Sequence, residues 1–172
     1  MENQIVIEKF IRSSEENAIS ILKENENIKP FLSILTKDDD EYGQHNIPIP
    51  PMFLEGESGK DFVREILING LKKKLKEEGK EILCVSWVSE GWMYVGKKGE
   101  DNIEKYRELP RKEVLMMTFD CEDQQIVSTY EIKRSRWEVG ENGLDKGLKL
   151  IPIEQDFNNK NRKGRFGNLF KD

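Results

Sequence analysis

Residues 81–95 read EILCVSWVSEGWMYV, and the fold turns on how this run is read. Apolar side chains occupy both alternating sets: Leu83, Val85, Trp87 and Met93 on one, Ile82, Cys84, Val88 and Trp92 on the other. A strand with one wet face alternates apolar with polar, whereas a run apolar on both sets is covered on both faces. The expectation is a central strand over 81–95 with something packed on each side. Glu90-Gly91 interrupts it, a charge and a missing side chain set between two tryptophans. A carboxylate persists in such surroundings when it is paired. The stretch therefore asks for a nearby cation, with Gly91 as the place for a bulge or close backbone approach that re-aims Glu90.

Candidates for that cation lie downstream. EVLMMTFD (113–120) reads as a second buried strand, CEDQQ (121–125) as a turn, and IVSTYEIKR (126–134) as a third strand. In the third, Ile126, Ser128, Tyr130 and Ile132 share one side, and Val127, Thr129, Glu131 and Lys133 a wetter one. Paired as an antiparallel meander, the three strands gather a polar rim at one end. Glu90, Trp92, Arg111, Glu113, Arg134 and Arg136 form it, as candidate binding residues, with Lys133 beside them. The rim is either a structural ion pair that orients the charged loop 96–110 or a surface for a ligand or partner. A carboxylate-based metal site from Glu90, Glu113 and Asp120 is the enzymatic alternative.

Upstream, Ile7, Phe10, Ile11, Ala18, Ile21 and Leu22 make a stripe at helical spacing, predicting an amphipathic helix over 3–25 with an interruption near Ser13-Ser14. PFLSILT (30–36) is β-compatible, KDDDEYGQ (37–44) is turn chemistry, and the prolines of HNIPIPPMF (45–53) permit only an edge strand. These predict a hairpin. A second helix is expected over 58–78, opened by a capping-box relation of Ser58 with Asp61. Val63, Leu67, Leu71 and Leu75 form its stripe, and Gly79 stops it. LKLIPI (148–153) is a further short strand. The fold class that follows is α+β: a mixed sheet, an N-terminal hairpin plus a C-terminal antiparallel meander, packed on one or two helices. If the edge arm and strand 81–95 run parallel, helix 58–78 is their crossover.

The 172 residues predict one domain, 1–172, with 157–172 as a mobile or docking tail. A net charge of −5 argues against broad nucleic-acid binding. No run approaches the roughly 18 apolar residues of a membrane span. MENQIVIEKF lacks the basic leader of a signal peptide. Cys84 and Cys121 sit in apolar strands and read as small core hydrophobes of a reducing compartment, so a cytoplasmic setting is expected.

At this point the order of segments resembles a family of small bacterial and phage proteins of unassigned function. The likeness rests on SEGWM (89–93), matching a Ser-Glu-Ala-Trp-type strand end, and on RKEVLMMTFDCED (111–123), an Arg-x-Glu-led strand. It spans roughly residues 30–135, and Gly91 stands where alanine is usual. The resemblance implies a bacterial or phage-related protein and brings no catalytic residues with it.

Other motifs fall short on their own chemistry. EGESGKDF (55–62) would need glycine at Leu54 and a hydroxyl at Asp61 to cradle phosphates, and that aspartate would repel them. Asp38, Asp40 and Gly43 match positions of a calcium loop, but Ile49 stands where its bidentate glutamate belongs. His45 is the one histidine, so a multi-histidine zinc site is excluded. A Cys–His nucleophile would require His45 to meet Cys84 or Cys121. Lys160, Arg162, Lys163 and Arg165, interleaved with Phe166 and Phe170, are the candidate nucleic-acid contacts. No cofactor motif is present and none is expected. The reading that requires no missing constellation is a non-enzymatic binding or adaptor protein, acting on a protein or small ligand.

Overall fold

The computed structural model describes residues 2–50, 68–94, 110–122, 124–134, 138–140, 143–145 and 147–153. The α+β class stands, with two helices and an open six-stranded sheet among these residues. Helix α1 covers Glu2–Asn25, β1 Phe31–Asp38, β2 Glu41–Pro48, α2 Ile68–Glu77 and β3 Glu81–Tyr94. The rest is strand: β4 Arg111–Cys121, β5 Gln125–Arg134, β6 Glu138–Gly140, β7 Gly143–Asp145 and β8 Leu148–Pro152. The sheet order is β2-β1-β3-β4-β5-β8, and β6 and β7 pair as a separate ribbon.

The expected hairpin and meander are both present, and every neighbouring pair in the large sheet is antiparallel, so it is not mixed in its pairing. β2 and β3 do run in the same direction, but β1 lies between them and opposes both. The connection carrying α2 thus passes across β1. The hairpin turn is tighter than the run of aspartates implied. Asp39, in the left-handed region at φ 50°, and Asp40 alone form its tip, and Tyr42–Gln44 are already strand.

Helix α1 buries Ile7, Phe10, Ser14, Ala18 and Leu22, one residue per turn, and runs uninterrupted through Ser13-Ser14. Its stripe packs on one face of the sheet with Leu35, Leu83, Cys84, Val88, Leu115, Met117, Phe119 and Ile132. On the other face, Leu75 and the partly buried Leu71 of α2 meet Leu32, Ile34, Ile49 and Val85. Strand β3 is central and covered on both sides, as its double apolar pattern requires.

The predicted cap residues Ser58 and Asp61, with Val63 and Leu67, lie outside the described residues. The predicted stop is present. Gly79 at φ 74° lets the Lys80 N–H reach the Leu75 carbonyl (2.8 Å) and its own N–H reach that of Lys76 (3.1 Å). These two bonds satisfy carbonyls the last turn would leave open.

The bulge in β3 is not where the sequence placed it. Leu35 faces Cys84 and Thr36 faces Ile82, leaving Leu83 as the extra residue. The slip exchanges the faces of two side chains: Leu83 joins the α1 side, and Ile82 joins Val85 on the α2 side. At Gly91 the ladder to β4 continues in register, and an added Cβ would meet nothing within 4 Å.

Candidate functional site

Of the residues expected at the rim, Glu90, Glu113 and Arg134 meet, and this cluster closes on itself. Glu90 follows Val88 on the α1 side of β3, Glu113 precedes Leu115 on the same side of β4, and Arg134 follows Ile132 on β5. From there Arg134 donates Nε to both Glu113 oxygens (3.1 Å each) and Nη2 to Oε1 (2.9 Å). This is a planar fork on a carboxylate, the geometry in which arginine binds best. Nη2 also lies 3.6 Å from Glu90 Oε2, and Nη1 donates to the carbonyl of Glu26.

The decisive partner of Glu90 is not a cation. Its Oε1 accepts the backbone N–H of Ile28 at 2.5 Å. Residues 26–30 carry the chain from α1 into β1, and Glu26 turns it in the left-handed region at φ 61°. A non-glycine residue held there is strained by about 1 kcal/mol or more. Arg134 and Glu90 hold the start and the middle of this short link through Glu26 C=O and Ile28 N–H. The charge at position 90 thus sits where α1 has run out and the backbone of the link, with the buried Ile28, covers the sheet.

Electrostatics at the rim are finely opposed. Burial pushes the Glu90 carboxyl up from its ordinary value and Glu113 adds to this, against the Ile28 hydrogen bond and the Arg134 charge. Arg134 is held more firmly protonated, first by its hydrogen bond to Glu113. On the opposite face Lys112 Nζ binds Glu131 Oε2 at 2.8 Å, which lowers the Glu131 carboxyl.

Trp92 stands opposite Glu113 in the ladder and is 66 % exposed. The exposed large hydrophobics among the described residues are Ile5, Trp92 and Ile151, so Trp92 is the one aromatic of the three. Arg111 is exposed at the start of β4, facing Tyr94 in the ladder. Arg136 and the basic set Lys160, Arg162, Lys163 and Arg165 lie outside the described residues.

The carboxylate trio of the enzymatic reading is not assembled. Asp120 is buried seven positions along β4 from Glu113, on the other face, about 23 Å away at strand rise. It accepts a hydrogen bond from Gln125 (2.5 Å). The Cys–His pairing is not formed either. His45 lies on the α2 side, with Nε2 3.3 Å from Thr36 Oγ1, while Cys84 belongs to the α1 side. Sequence reasoning missed the Ile28 and Glu26 backbone groups, because a main-chain partner 62 positions away leaves no residue-type signal.

Fold and rim together define an α+β protein with an open antiparallel sheet and a closed polar network at one strand end. No family model, curated protein or solved structure matches the chain.

Proposed function

We propose that this protein is a non-enzymatic binding or adaptor protein that uses the strand-end rim, with Trp92 as its anchor for a polypeptide partner. The observation that carries this reading is the contrast within the rim. Glu90, Glu113 and Arg134 are engaged with one another and with backbone, whereas the indole beside them is 66 % exposed. Aromatic anchors held on a rigid support dominate binding surfaces, because they bury much area at little cost in rotamer freedom. Carboxylates already engaged by Arg134 and by backbone N–H are poorly placed to act as a general base. A bacterial or phage-related origin belongs to the same proposal, on the pattern of SEGWM and RKEVLMMTFDCED.

A photo-crosslinking residue at the exposed Arg111, beside an intact Trp92, compared with one at the exposed Lys73, tests this in host cells. The expected result is a discrete, saturable adduct at 111 that excess wild-type protein competes away and Trp92→Ala does not. Equal crosslinking at 111 and 73 would overturn it.

A further inference from the structure

At the far end of the same ladder from the rim, Cys84 of β3 and Cys121 of β4 face one another directly. Both are free thiols, and both are buried on the α1 side. The Cys121 N–H bonds to Gln124 O (2.9 Å), across the turn toward β5. Because the N–H and C=O of one strand residue point to the same edge, Cys121 turns both toward β5. Its position against Cys84 is therefore a non-hydrogen-bonded one. Such pairs bring Cα atoms to about 4.5 Å and side chains closest together, at the short end of the span a disulfide bridges. The sulfurs are already 3.1 Å apart.

We propose that Cys84 and Cys121 are a redox couple that closes to an intramolecular disulfide across β3 and β4. The oxidant is a small two-electron species, a peroxide or a low-molecular-weight disulfide. Access decides the order of events: Cys84 is fully buried, while Cys121 retains 7 % exposure as the last residue of β4, beside the turn. With hydrogen peroxide, the Cys121 sulfur takes one oxygen as a sulfenic acid and water leaves. The Cys84 sulfur then attacks that sulfur, its proton leaves with the departing hydroxide as a second water, and the S–S bond forms. Two thiols and one peroxide give one disulfide and two waters. With a small disulfide, exchange at Cys121 releases one thiol and attack by Cys84 releases the second. The S–H···S hydrogen bond shared with Cys121, and then burial, keep the Cys84 thiol protonated far above its usual range, so closure is slow.

Closure ties two residues 37 positions apart in the chain and restricts the unfolded state more than the folded one, whose geometry it scarcely alters. The experiment uses the purified full chain, folded, treated with hydrogen peroxide or oxidised glutathione. The expected product has lost two hydrogens by intact mass, and digestion gives one linked peptide containing Cys84 and Cys121. Its melting temperature is higher by roughly 5 °C, and dithiothreitol reverses both changes. Under the same conditions Cys84→Ala stops at a sulfenic acid or a glutathione adduct on Cys121. Wild-type peptide mapping decides the matter even where that variant folds poorly. The proposal is overturned if both thiols stay free, if linkage appears only in denaturant, or if Cys121 over-oxidises without joining Cys84.

Discussion

One strand of this protein, β3, passes through two regimes. From Cys84 to Val88 it is dry: Cys84, Val85, Ser86 and Val88 are fully buried. From Glu90 to Trp92 it is half wet: β4 and its register stay the same, but β1 ends opposite Val88 and leaves this stretch without a β1 partner. The cover changes as well. The α1 stripe lies over the first stretch, and the α1–β1 link, whose Ile28 N–H and Glu26 C=O lie outside any helix or strand ladder, lies over the second. A strand's tolerance for charge is thus set by what packs against it. A side-chain stripe calls for hydrocarbon, whereas exposed N–H and C=O groups call for a carboxylate and a guanidinium.

The largest effect belongs to the dry stretch. Phe119, fully buried, faces Ser86 across the ladder. Phe119→Ala should cost about 3–5 kcal/mol, a fall in melting temperature of roughly 6–20 °C for a domain of this size. Thermal unfolding followed by circular dichroism checks it, and a fall under 3 °C would break the contrast between the two stretches.

Arg134→Ala comes next. It strips two carboxylates and the Glu26 carbonyl of their shared partner. The Arg134 side chain is 35 % exposed, so the loss belongs between surface and buried pairs, about 1–2 kcal/mol. A double-mutant cycle with Glu113→Gln should show clear coupling, because the two groups bind as a fork. Additive losses would mean that the fork contributes nothing.

Gly91→Ala should move stability the other way, by about 0.5 kcal/mol. The position has no bulge and an added Cβ meets open space, while glycine within a strand costs conformational entropy. Urea unfolding reads it, and a loss of stability would mean that Gly91 is conformationally required after all.

The smallest effect is a pH dependence. The folded-state carboxyl of Glu90 is raised above its unfolded value, so its favourable contribution is complete below the unfolded value near 4.5 and is lost as pH rises through the folded one. Glu90→Gln resembles the protonated form and keeps an acceptor for Ile28 N–H. Its melting temperature should match wild type at pH 4 and equal or slightly exceed it at pH 7. A variant clearly less stable at pH 7 would show that the charge itself holds the rim.

Much of this was legible in the sequence because it rests on side-chain pattern. The double apolar pattern of 81–95 announced a covered central strand, the spacing from Ile7 to Leu22 announced α1, and Gly79 announced the end of α2. The gathering of Glu90, Glu113 and Arg134 followed from antiparallel pairing alone. The bulge at Leu83 was hidden because a leucine carries no turn chemistry, whereas Gly91 carries it and makes no bulge. The place of β1 between β2 and β3 was hidden because strand order is decided by which edges meet in space. The facing of Cys84 and Cys121 needed the β3–β4 register, which side-chain alternation alone does not fix.

The position of β1 has a kinetic consequence. Its pairing with β2 closes over two residues, and β3 to β5 form a meander, so each side of the sheet assembles from contacts near in sequence. The β1–β3 seam joins segments that the whole of β2 and α2 separates, and its closure carries the larger chain-entropy cost. Ile28 and Glu90, 62 positions apart, are fastened at one end of that seam. The short link between α1 and β1 is thus a clasp on the slowest join in the sheet, and a change at Glu26, Ile28 or Arg134 should speed the opening of that join before it disturbs either half.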